Sequence, residues 1–181
     1  MIPYAHRYDV IIVGARCAGA ATAFLLASAG LKVLLIARQF RGSDTMSTHA
    51  LARSGVMQLQ RWGLLSRLDL QATPAIRSST FHYGTDSVRV AIKPDLGVEH
   101  LYAPRRTILD QMLVDAAEAA GSDVRHGVQL SGLQFDSSGR VIGAWLQHDS
   151  DSHVGVGTTL VVGADGRQST VARLVAAGTY V

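Results

Sequence analysis

The chain has one cysteine, Cys17, among 181 residues. A lone cysteine excludes an intramolecular disulfide and a thiolate metal cage. It fits a reducing compartment, so a cytoplasmic location is expected. Lysine is scarce too: Lys32 and Lys93 are the only two. The arginines are scattered without a run of five or six, so the net charge of +3 does not form a nucleic-acid surface. It suits a phosphate-bearing ligand equally well. The opening residues, Met-Ile-Pro-Tyr-Ala-His-Arg, lack the apolar core of a signal peptide. The apolar stretch Ala18–Ala37 is interrupted by Gly30 and Lys32 and changes from helix to strand period, so no stable membrane span is expected. Repeats, low-complexity tracts and a clear linker are absent. His82, His100, His126, His148 and His153 have no metal-ligand spacing, and no metal is assigned. No Ser-His-Asp or Cys-His arrangement offers a catalytic nucleophile, so the catalytic residues stay unassigned. The length suits one domain, or one and a fraction.

What is present is concentrated between Tyr8 and Arg38. Val10–Val13 are apolar without alternation, as in a parallel strand buried on both faces. Gly14 then permits a sharp turn, and a helix starts near Cys17. The start of a helix presents unpaired N–H groups and a positive dipole end, a fit for a diphosphate. Gly19 and Ala23 keep the inner helix face small, and Val33–Ile36 form the second buried strand. This is the βαβ unit of a dinucleotide site. It departs from Gly-x-Gly-x-x-Gly at Arg16, where the middle glycine would stand. The arginine crowds the approach of phosphate and compensates by offering charge-assisted donors. At the end of the second strand, where an acid usually binds the adenosine ribose, the chain has Ala37 followed by Arg38. Arg38 leaves two readings open: a partner for a 2′-phosphate, or a flank for adenosine. Cys17 is either a reactive thiol at a helix start or, the preferred reading, a small residue packed near the phosphate.

Beyond this unit, a polar loop over 43–49 precedes a helix expected at about Ala50–Trp62, stopped by Gly63. Thr80–Tyr83 and Val88–Ile92 alternate around a turn over 84–87 and read as a hairpin of a second layer. A helix opens at Pro104-Arg105-Arg106 with Leu109, Met112, Leu113 and Ala116 on one face, and stops at Gly121. Val124–Leu130 reads as one strand, and Leu133–Phe135 with Val141–Gln147 as a hairpin. Thr158–Val162 is a buried strand ended by Gly163-Ala164-Asp165-Gly166, with a last helix holding Val171, Leu174 and Val175. The parallel strands Val10–Val13, Val33–Ile36, Val124–Val128 and Leu160–Val162 take the order 3-2-1-4 by the doubly wound rule. The fold class is therefore α/β, a doubly wound, Rossmann-like domain with inserted β-hairpins.

Three signals stand in fixed order: the turn Gly14 to Gly19, Pro104-Arg105-Arg106 leading a helix, and Leu160-Val161-Val162-Gly163-Ala164-Asp165-Gly166-Arg167-Gln168-Ser169. Together they resemble the FAD-binding region of the para-hydroxybenzoate-hydroxylase-like flavoprotein monooxygenases. That superfamily also includes geranylgeranyl reductases and flavin halogenases. The resemblance covers nearly the whole chain, read as one FAD-binding domain over 1–181 in which about 70–103 joins a second, substrate-side layer.

The resemblance implies roles position by position. Gly14, Ala15, Cys17, Ala18 and Gly19 would surround the FAD diphosphate, with Arg16 in the same turn. Arg38 matches the arginine near the adenosine, and Val128 the strand position whose backbone reads adenine. Arg105 matches the arginine that reaches the cofactor. Asp165 and Gly166 match the Asp-Gly motif associated with FAD and NADPH. Ser47 and Thr48 match the segment close to the flavin ring, and His49 beside them reads as a loop or cap residue. Plainer roles remain for two of these: Arg105 as a solvated charge at a helix start, Asp165-Gly166 as a strand-end turn. The pattern departs at Ala37 and at Ala172, where the motif usually has arginine.

By resemblance the chain is the FAD-binding part of an oxidoreductase that uses NADPH or NADH, most simply a hydroxylating monooxygenase. Family members are longer and carry a later Gly-Asp motif and most of the substrate domain. The expectation is thus a domain incomplete at its C-terminus, inactive alone, with a bare sheet edge along Leu160–Val162 open to self-association or a partner chain. The substrate of the full-length relative is a small aromatic or isoprenoid molecule. The alternatives are a non-catalytic nucleotide-binding module, a prenyl reductase-like flavoenzyme and an NADP-only Rossmann protein.

Overall fold

A computed structural model describes residues 6–45, 50–70, 73–148 and 153–178. The chain forms two compact units, Met1–Ser43 with Leu113–Val181, and Asp44–Met112. The first unit opens with strand β1 (Arg7–Val13), helix α1 (Cys17–Ser28) and strand β2 (Val33–Ala37). The second unit supplies helices α2 (Arg53–Arg61) and α3 (Leu65–Leu70), strands β3 (Ala75–Ile76), β4 (Ser78–Tyr83), β5 (Asp86–Ala91) and β6 (Leu101–Tyr102), and the start of helix α4 (Arg106–Ala119). The chain then adds β7 (Asp123–His126), β8 (Gln129–Phe135), β9 (Val141–Gln147), β10 (His153–Gly163) and helix α5 (Thr170–Leu174).

In the first unit one six-stranded sheet runs in the order β7-β2-β1-β10-β9-β8. The four strands β7, β2, β1 and β10 are parallel, in the expected 3-2-1-4 order. Ile11, Ile12, Leu34, Leu35 and Ile36 are fully buried, which is why β1 and β2 lack polar alternation. Each such side chain contributes about 1.5–3 kcal/mol by leaving water, so this strand pair anchors the sheet. Tyr8, Val13, Val128, Leu146, Val156 and Val171 share one buried cluster with Ile11, Leu34 and Ile36.

β10 is longer than the expected Thr158–Val162 and serves two neighbours. Its first half, His153–Gly157, pairs antiparallel with β9, and Gly157–Gly163 pairs parallel with β1. Beyond Gly157 no strand among the described residues lies on its outer side, and Leu160 is 51% exposed. The expected edge along Leu160–Val162 is therefore bare, while the first half of the strand is covered.

The expected single strand Val124–Leu130 is two. Gly127 has φ 72, a left-handed conformation that cannot continue a ladder, and it separates β7 from β8. β8 then pairs with β9, so Leu133–Phe135 is the end of a longer strand.

In the second unit, β4 and β5 form a hairpin whose turn is only Gly84 and Thr85, because Asp86 and Ser87 already pair with Tyr83 and His82. The helix expected from Ala50 begins at Arg53, since Leu51 is drawn into a bridge with Tyr102. α3 and the short pair β3–β6 were not expected: six-residue and two-residue elements leave no measurable periodicity.

Candidate functional site

The glycine turn follows β1 and is interlocked with the loop after β10. The Gly14 amide donates to the Ile36 carbonyl at 2.8 Å, and the Ala164 amide to the Val13 carbonyl at 2.8 Å. Gly14 has φ 108, and a Cβ there would stand 2.4 Å from the Ala164 carbonyl oxygen. A Cβ on Gly19 would stand 1.8 Å from the Gly14 carbonyl oxygen and 3.2 Å from the Ala164 Cβ. Two motifs far apart in sequence, the glycine turn and Gly163-Ala164-Asp165-Gly166, thus close on one another, and neither glycine tolerates a side chain. Ala20, Ala23 and Ala27 continue the buried face of α1.

Among the described residues the N-cap side chain makes no capping hydrogen bond at the start of α1, and the first turn holds no acidic residue. The first amides of a helix have no intrahelical acceptor, and the dipole there is positive. This is the chemistry that takes an anion, and a carboxylate in that turn would have opposed it.

Arg16 is the N-cap position. Its Nε and Nη2 donate to Gln39 Oε1 at 3.1 and 2.5 Å, so the side chain reaches from the turn to the loop after β2. Arg38, next to Gln39, is exposed. Val128 is buried, and its amide donates to the Ala37 carbonyl at 3.0 Å. Ala37 and His126 are register partners on β2 and β7. His126 Nδ1 lies 3.2 Å from the Gln39 carbonyl oxygen, while its Nε2 is buried without a hydrogen-bond partner among the described residues. Sequence reasoning passed over Gln39 and His126. Metal-ligand spacing says nothing about either, and the signal lay in strand register: His126 closes the strand beside the one that ends at Ala37.

Asp165 is committed to the start of α5. Its Oδ1 accepts from Ser169 Oγ at 2.5 Å and its Oδ2 from the Thr170 amide at 2.6 Å. Ser169 caps the helix by accepting from the Ala172 amide at 3.0 Å. Gly166 follows with φ 85. The Asp-Gly pair therefore shapes the loop that presses Ala164 onto the glycine turn.

In the second unit, Arg105 Nη2 donates to Asp44 Oδ2 at 2.7 Å in an exposed pair. Arg106, its neighbour, makes a bidentate bond to Asp110 one helical turn on. Ser47 and Thr48 lie outside the described residues.

The opposite end of the parallel strands carries a different cluster. The Tyr8 hydroxyl donates to Asp123 Oδ2, and Arg125 Nη2 donates to Tyr8 Oη at 3.1 Å and Asp123 Oδ2 at 2.7 Å. Burial, then the Asp123 carboxylate, pushes the Tyr8 phenol above its ordinary pKa. The Arg125 hydrogen bond holds the Asp123 carboxyl below the usual carboxylate range. These residues staple the starts of β1 and β7, at the strand ends away from the turn.

Comparison with known proteins agrees with this geometry. Residues 7–179 match the family described as FAD binding domain. The menaquinone reductase of Mycolicibacterium smegmatis is 34% identical over 171 residues, covering 93% of this chain and 40% of that protein. The 2,4-dichlorophenol 6-monooxygenase of Delftia acidovorans is 26% identical over 178 residues, 90% of this chain and 30% of that protein. The fold also matches the flavin-dependent monooxygenase PieE, solved in complex with FAD and substrate, at a TM-score of 0.75 and 20% identity over 96% of this chain and 33% of PieE. The chain thus spans 30–40% of the length of these relatives. With the family matched over nearly its full length, the chain belongs to the FAD-binding domain family, the domain that flavin-dependent monooxygenases and reductases share.

Proposed function

We propose that this chain is the FAD-binding part of an NAD(P)H-dependent flavoprotein oxidoreductase, most simply a hydroxylating monooxygenase acting on a small aromatic molecule, and that it does not turn over alone. The observation that carries the reading is the interlock of Gly14, Gly19 and Ala164 beneath an α1 start that holds neither a capping side chain nor an acid. A diphosphate supplies the negative charge this helix start lacks. Gly14, Ala15, Cys17, Ala18 and Gly19 would hold it through backbone contacts. Arg38 would flank the adenosine, and the Val128 backbone would meet the adenine. Arg105, Ser47 and Thr48 would contribute to holding the cofactor, as the resemblance implies, and Asp165 and Gly166 would act by holding the loop against the turn. Bound FAD supplies the redox chemistry, with NADPH or NADH as reductant. The protein binds and orients it. Inactivity alone is supported by the share of each relative's length that this chain spans, 40% and 30%.

The test is a titration of the purified chain with FAD, followed by quenching of flavin fluorescence. Saturable uptake that G14A abolishes is the expected result. No saturable uptake, and no flavin released on denaturation, would overturn the reading. NADPH oxidation with oxygen consumption by the chain alone would refute its inactivity.

A second reading, a reductase that saturates a double bond of an isoprenoid, is favoured by the menaquinone reductase of M. smegmatis at 34% identity. Substrate-dependent oxygen uptake by a longer polypeptide containing this chain would count against it.

A further inference from the structure

Three facts stand together at the C-terminal ends of β2 and β7. Ala37 occupies the place where a dinucleotide fold usually carries the acid for the adenosine ribose. His126 is its register partner on the adjacent strand. The Nε2 of His126 is buried with no hydrogen-bond partner among the described residues. The tautomer follows from the other nitrogen: Nδ1 faces the Gln39 carbonyl at 3.2 Å, and a carbonyl only accepts. Nδ1 therefore carries the hydrogen, and Nε2 of the neutral ring is a bare acceptor. A buried acceptor without a donor carries its desolvation cost until one arrives.

We infer that His126 stands in for the missing carboxylate, its Nε2 accepting a hydrogen bond from a ribose hydroxyl of the bound adenosine. The inference rests on the FAD reading above. Gln39, which sets the ring's tautomer, is itself tethered to the glycine turn by Arg16. One chain of contacts therefore links the diphosphate end of the site to the ribose end. The chemistry also discriminates. An acceptor nitrogen takes a free hydroxyl and finds no donor in a 2′-phosphate dianion, so Arg38 flanks adenosine and this site prefers an unphosphorylated ribose.

The experiment titrates the purified chain with FAD and with FAD analogues lacking the adenosine 2′- or 3′-hydroxyl, in wild type, H126F and H126Q. Loss of the hydroxyl that meets Nε2 is expected to weaken wild-type binding about tenfold. H126F should bind FAD about tenfold more weakly and no longer distinguish it from the analogue. H126Q, which keeps an acceptor, should recover part of the discrimination. A wild type that binds FAD and both analogues equally overturns the inference, leaves the FAD reading standing and assigns the nitrogen's partner to an internal water. A wild type that binds none of the three overturns both. Should circular dichroism show H126F unfolded, the wild-type comparison decides by itself.

Discussion

Replacing Gly19 and Gly55 by alanine makes the same chemical change at the third residue of two helices, α1 and α2, and the structure assigns it opposite signs. Helix propensity favours alanine over glycine by up to about 1 kcal/mol in both. At Gly55 the new Cβ meets Leu51 Cδ2 at 3.6 Å, an ordinary contact, so the gain stands. At Gly19 it would lie 1.8 Å from the Gly14 carbonyl oxygen, against a limit of 3.0 Å that real Cβ atoms essentially never breach. The start of α1 must then move by more than 1 Å (3.0 less 1.8) relative to backbone that cannot rotate away. Overpacking costs about 1–3 kcal/mol, and a backbone clash belongs at the upper end. Net, G19A should lose about 2 kcal/mol and G55A gain up to about 1 kcal/mol. For a chain of this size that is a fall of roughly 4–8 °C in Tm against a rise of roughly 2–4 °C. G19A should also weaken FAD binding, because the amides proposed to hold the diphosphate move with the helix. Thermal melts of both variants with and without FAD check this. Shifts of the same sign, or a G19A variant as stable as wild type, would refute the interlock.

D165A removes the acceptor of the Thr170 amide and of Ser169 Oγ and should cost about 1–2 kcal/mol, read from urea midpoints, with a loss of FAD affinity as the loop under Ala164 loosens. Asp123 titrates lower when folded than unfolded, so its contribution to stability is full above the ordinary carboxylate value of about 4 and is lost as pH falls through its lower folded value. D123N should flatten the fall of stability below about pH 4, and urea midpoints between about pH 2.5 and 6 test it. Sedimentation of the chain should reveal self-association through the bare edge of β10, and L160K, at an already exposed position, should abolish it while leaving the melt unchanged. A monomer at all concentrations would show that the edge is shielded.

The parallel strands were legible because burial on both faces forces unbroken apolar runs, and Val10–Val13 and Val33–Ile36 have no other reading. The face of α4 was legible for the same reason: Leu109, Met112, Leu113 and Ala116 are all buried. The last helix was half legible, with Val171 buried and Val175 at 47% exposure. The break at Gly127 was not, because the residues on either side of it are equally good strand formers and one positive φ leaves no trace in periodicity. At the site, Gly14 and Gly19 announced a tight turn, but nothing in the sequence showed that the Gly163-Ala164-Asp165-Gly166 motif closes on it through Ala164. Arg16 announced a charge without a direction; it donates to Gln39 Oε1 in the loop after β2. His126 depends on which strand lies beside β2, which only topology supplies.

The division of β10 between two neighbours sets an order of assembly. β8, β9 and the first half of β10 form a meander of local contacts, which closes quickly once synthesised. The second half of the same strand must capture β1, made some 150 residues earlier, with Tyr8 opposite Thr158. On the ribosome the nascent N-terminal βαβ segment waits with one flank of β1 unpaired until β10 emerges. Only then does Ala164 arrive to brace the glycine turn, so the turn takes its final form only after β10 has docked.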